Sequence, residues 1–114
     1  MTAEDEAPSI DEIIEAKRHI YSIDEAAYKR LTGRSLEEME FELVTGVGET
    51  SSNSPYMESI DTALVSMYRS MKERGIEFAL GLRFETGFIS DTPRRNVFYA
   101  YATGVKRRTE GGEN

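Results

Sequence analysis

A chain of 114 residues, 39% apolar and 31% charged, can bury one hydrophobic core and is short for two, so one compact unit is expected. Its net charge of −7, with Glu4, Asp5, Glu6, Asp11 and Glu12 crowding the start, works against general binding to a phosphate backbone. The lack of any cysteine excludes disulfides, thiolate catalysis, zinc ribbons and iron–sulfur clusters. No apolar run approaches the roughly 20 residues that cross a bilayer, and the acidic start is unlike a signal peptide, so a cytoplasmic protein without membrane contact is expected.

Residues 1–8 are polar and acidic and read as a disordered lead; residues 109–114 read as a disordered tail, with a single α+β domain over 9–108. Three capping boxes follow one another at Ser9–Glu12, Ser22–Glu25 and Ser35–Glu38. In each, a serine hydroxyl accepts from the amide three residues on while the glutamate reaches back, so each signals a helix start. The first helix would present Ile10, Ile13 and Ile14, and the second Ala27, Tyr28 and Leu31 before stopping at Gly33. The intervening "KRHIYSI" also fits a short strand.

From Met39 the period changes to two. Met39, Phe41, Leu43, Thr45 and Val47 alternate with Glu40, Glu42, Val44, Gly46 and Gly48, as in a strand with one buried face. Ser54 can cap a helix with Pro55 in its first turn. Met57, Ile60, Leu64, Met67 and Met71 then form one apolar stripe, and Gly75 ends the helix after Lys72 and Arg74. A second strand alternates over 76–85. The turn region "TGFISDTPRRN" leads to a third, "VFYAYATGV". The expected fold is a β-α-β-β core preceded by short N-terminal helices. A parallel pair across the crossover and an antiparallel hairpin would give a three-stranded mixed sheet, its large side chains packed on the long helix.

The opposite face of the three strands is small: Gly46, Gly48, Ala79, Gly81, Ala100, Ala102 and Gly104. Glycine weakens a strand unless another backbone or a ligand comes close. This face is therefore expected either to meet the N-terminal helices or to form a subunit interface in a homo-oligomer.

"MKERGIEFALGLRFETG" and "VFYAYATGVKRR" resemble the C-terminal half of the YbjQ family of small proteins, and "LVTGVGET" its early strand, together over about residues 39–108. Phe78-Ala79-Leu80-Gly81 and Ala102-Thr103-Gly104-Val105 stand where that family has its strand motifs, with Thr-Gly here in place of Gly-Thr. The resemblance implies a homo-oligomeric ring, a pentamer, and a heavy-metal-binding label that a chain with no cysteine and one histidine does not support. The core is also similar to dodecins, which implies flavin held between subunits; with no tryptophan to stack on it, Tyr99 and Tyr101 are the substitutes.

No motif specifies a cofactor, a metal or a catalytic residue. The stretch "VTGVGETSSNSP" matches neither the GxGxxG nor the P-loop pattern, although Ser51, Ser52 and Ser54 at a helix start could hold an anion. His19 has no evident nucleophile or acid beside it. Glu40 and Glu42, and Glu77 and Glu85 with Arg83, could rim a pocket, which ranks an enzyme third. Arg94, Arg95, Lys106, Arg107 and Arg108 lie at opposite ends of one strand and make a poor nucleic-acid surface. The leading expectation is a non-enzymatic homo-oligomer. The alternative is a small-ligand or flavin binder using Ser51, Ser52, Ser54, Tyr99 and Tyr101.

Overall fold

The computed structural model describes residues 8–51, 56–89 and 95–108. The fold is α+β, a three-stranded antiparallel sheet with three helices. Helix α1 spans Ile10–His19 and α2 spans Glu25–Thr32; strand β1 spans Met39–Ser51, α3 Tyr56–Arg74, β2 Phe78–Ile89 and β3 Arg95–Arg107.

The Ser9 side chain accepts from the Glu12 amide at 3.1 Å and starts α1. The other two serines do not start helices. Residues 20–23 lie along the edge of β2 and bend at Ser22 and Ile23, with Tyr21 N–H donating to Ala79 C=O at 2.8 Å and Gly81 N–H to Ile23 C=O at 2.8 Å. These bonds hold the chain against the sheet as far as Ile23, and Asp24 then caps α2, its carboxylate accepting from the Ala27 amide at 2.8 Å. Gly33 stops α2 in the left-handed conformation, φ 73°. Residues 36–39 form a tight turn into β1, with Met39 N–H donating to Leu36 C=O at 3.1 Å, and Leu36 is buried there. The Ser54 cap and Pro55 lie outside the described residues.

The sheet differs from the mixed arrangement expected. β3 lies between β1 and β2 and pairs antiparallel with both, so the two strands joined by α3 run parallel without touching. Charge explains the order. β1 carries Glu40 and Glu42 and β2 carries Arg83 and Glu85, whereas β3 has no charged residue over 97–105. Charged strands suit edges, where side chains reach water. β2 and β3 also extend through much of the expected turn, pairing as far as Ile89 with Arg95.

The faces are reversed as well. Val44, Ala63, Leu64, Met67, Met71, Ala79, Ala100 and Ala102 share one core with Ala16 and Ile20. The small face of the sheet therefore lies under α3 and α1 of the same chain, not under a second subunit and not under the N-terminal helices alone. Bulk explains it: α3 supplies Leu64, Met67 and Met71, each stabilising by about 2 kcal/mol when buried, and the strands beneath must be shallow to admit them. A Cβ on Gly46 would sit 2.2 Å from the Ala63 carbonyl oxygen and 2.7 Å from the Met67 amide nitrogen. Gly104 makes room for the Ile76 side chain in the same way. Gly81 is different: nothing lies near its Cβ position, but φ is 71° where the β2–β3 register shifts between Leu80 and Arg83. Its glycine serves a bulge.

Gly46→Ala should lower stability by about 2 kcal/mol or more, because helix backbone rather than a flexible side chain must move. Urea denaturation checks this; an unchanged midpoint would mean that α3 does not rest on β1.

Candidate functional site

Antiparallel register places directly opposed residues on one face, so the outer surface of the sheet can be laid out in rows. From one end they are Phe41–Val105–Phe78, Leu43–Thr103–Leu80, Thr45–Tyr101–Arg83 and Val47–Tyr99–Glu85. The β2 side of the first two rows is covered. Phe78, Leu80 and Val105 are buried with Tyr28 and Leu36 in a second cluster, where the Tyr28 ring stacks on Phe78 at 4.9 Å. The rest is bare: Leu43 is 66% exposed, Phe41 44%, Val47 41% and Tyr99 41%.

Both edges of the sheet are occupied over part of their length. Beside β2 the 20–23 segment takes up backbone groups, adding Leu82 N–H to Tyr21 C=O at 3.0 Å. At β1, α3 supplies caps: Val47 N–H donates to Ser66 Oγ at 3.3 Å, and the Arg74 guanidinium donates to Leu43 C=O at 3.2 Å. These contacts hinder pairing of another strand with β1.

A cleft of about 270 Å³ lies between α3 and this edge, lined by Val47, Thr62, Val65, Ser66, Arg69 and Glu73 among others. It is not the ligand site expected from sequence. Tyr99 and Tyr101 stand on the outer face, away from the flank of α3. Ser51, the last residue of β1, pairs with Arg95. Ser52 and Ser54 lie outside the described residues.

The charged candidates are mostly held in pairs. Arg69 clamps Glu12 bidentately at 2.6 and 2.7 Å, fastening α1 to α3. Glu42 bridges Arg74 and Lys106, the latter at 2.5 Å. Glu77 lies 3.5 Å from Arg107. His19 meets its own helix at the Glu15 carbonyl, 2.8 Å away, and stacks on Tyr68. Among the described residues no group of three His, Cys, Asp or Glu could hold a metal ion, and no helix is long and apolar enough to cross a membrane.

Hydrogen bonds from Arg69 hold the Glu12 carboxyl below the ordinary 4.5, and those from Lys106 and then Arg74 do the same for Glu42. Sequence reasoning placed Glu42 at the rim of a pocket and missed its partners Arg74 and Lys106, as it missed the Arg69–Glu12 contact that docks α1 on α3; in each case the partners are far apart in sequence. A scan against protein-family models and a comparison with curated proteins both give no match.

Because both carboxyls are depressed in the folded state, unfolded chains take up protons first as pH falls. Stability should be full above 4.5 and decline as pH drops through the lowered values. In Glu12→Gln this acid loss should shrink, measured by denaturant midpoints across that range. A pH profile identical to that of the unaltered chain would show that the Glu12–Arg69 clamp contributes nothing.

Proposed function

We propose that this chain is a non-enzymatic, cytoplasmic, homo-oligomeric protein of the YbjQ type, whose β-α-β-β core with two leading helices is the subunit and whose copies meet on the outer face of the sheet. The observation that carries this reading is the bare apolar surface of Phe41, Leu43, Val47 and Tyr99. Contiguous apolar surface of this kind on a water-facing sheet marks a contact site. The edges support the same reading, because strand addition is hindered over part of both sides while these apolar side chains stay open. Glu42 and Glu77 are tied into ion pairs, which suits a structural role better than proton transfer.

The reading moves the subunit contact from Gly46, Gly48, Ala79, Ala100, Ala102 and Gly104 to the large side chains on the other surface. A small ligand between copies, near Tyr99 and Tyr101, is the second reading. It is favoured only by the adjacency of the two rings in neighbouring rows on an open face.

Sedimentation of the unaltered chain over rising concentrations should show mass above that of one subunit. Leu43→Glu should weaken association about tenfold or more, with a folded-state spectrum unchanged, since an exposed side chain adds little to folding. A single-subunit mass at every concentration would overturn the proposal.

A further inference from the structure

Arg83 and Glu85 stand side by side on the outer face of β2, next to Tyr101 and Tyr99 respectively. Both are exposed, and among the described residues neither makes an ion pair. Most other basic side chains near the sheet find an acid within the chain, as Arg74, Lys106 and Arg107 do. A positive and a negative group in neighbouring rows of one patch form a self-complementary pair. A two-fold axis can set Arg83 of one copy opposite Glu85 of the other and, by the same operation, Glu85 opposite Arg83: residue i meets j, and j meets i.

We infer that the partner on this face is a second copy of the chain, related by a two-fold axis that crosses the strands between the Thr45–Tyr101–Arg83 and Val47–Tyr99–Glu85 rows. This rests on the self-association proposed above and specifies its contact, a two-fold pair of copies in place of the head-to-tail ring that the family resemblance implies. Arg83 of each copy faces Glu85 of the other, so the symmetry forms two ion pairs from one residue pair. Tyr101 lies over Tyr99 of the second copy and Thr45 over its Val47, filling the roughly 10 Å between stacked sheets. The corner covered by Tyr28 and Leu36 falls at the margin of the contact and bounds it. The contact centres on these rows and takes in Leu43 on one flank; it is small by the standards of stable dimers, so association should depend on concentration.

The partner's chemistry separates this from other occupants. An acidic or basic ligand would favour one of the two charges and be repelled by the other. A second copy presents both in the required order.

The test is charge exchange followed by sedimentation. Arg83→Glu and Glu85→Arg should each raise the dissociation constant about tenfold or more, because each places like charges opposite twice in the dimer. The double variant Arg83→Glu/Glu85→Arg should return to within about threefold of the unaltered chain. Circular dichroism on all three confirms that folding is intact. If the unaltered chain associates and both single variants associate equally well, this contact is wrong while the self-association reading stands. Loss in both single variants without recovery in the double variant overturns the two-fold facing of Arg83 and Glu85. A monomeric unaltered chain removes both proposals.

Discussion

The contact between Gly46 and the backbone of α3 governs the rest of the structure. With hydrogen in place of a Cβ, β1 lets the Ala63 carbonyl and the Met67 amide come down onto the sheet. That draws α3 toward the β1 side rather than over the centre. Leu64, Met67 and Met71 then fill the shallow trough above Val44, Ala100 and Ala102. The same placement brings Ser66 and Arg74 to the edge of β1, where they occupy backbone groups that an open strand would offer to other chains. One missing side chain thereby sets the helix, the core and the protected edge.

The outer face follows by exclusion. Strand alternation sends Phe41, Leu43, Thr45 and Val47 away from α3 once Val44 and Gly46 point toward it. α2 reaches only the corner around Phe78, because residues 20–23 must first run along β2 and leave eight residues for the helix before Gly33. The bare stretch is therefore a consequence of a short α2 placed at one end of a long sheet.

Much of the local structure was legible in the sequence. The stripe of Ile60, Leu64, Met67 and Met71, the glycine stops at Gly33 and Gly75 and the alternation in β1 and β3 correspond to elements of the structure, whereas the bulge in β2 reverses the expected faces after Leu80 and brings Arg83 and Glu85 outward. Which sheet face lay inside was not, because alternation gives two faces and says nothing about which one a bulky helix needs. Choosing the larger residues for the core failed where packing is a matter of fitted volumes: methionines on the helix demand alanine and glycine below. The strand order had a visible signal, the uncharged run 97–105, that connection rules alone did not use. Ser22 and Ser35 looked like caps because the motif is local, while the backbone bonds that hold Tyr21 and Ile23 against the sheet come from β2, more than fifty residues away. Of the candidate ligand residues, Tyr99 and Tyr101 share the outer face of the sheet, while the cleft lined by Val47 and Arg69 opens on the flank of α3.

The two faces differ in their methyl groups, which makes them separable in one experiment. Methyl resonances followed by nuclear magnetic resonance during dilution report on both surfaces at once. Leu43 and Val47 should shift or broaden with concentration, while Val44, Met67 and Met71, sealed between α3 and the sheet, stay fixed. Concentration-dependent changes confined to Val44, Met67 and Met71, or none at all, would contradict an outer face that joins copies and an inner face that holds the subunit together.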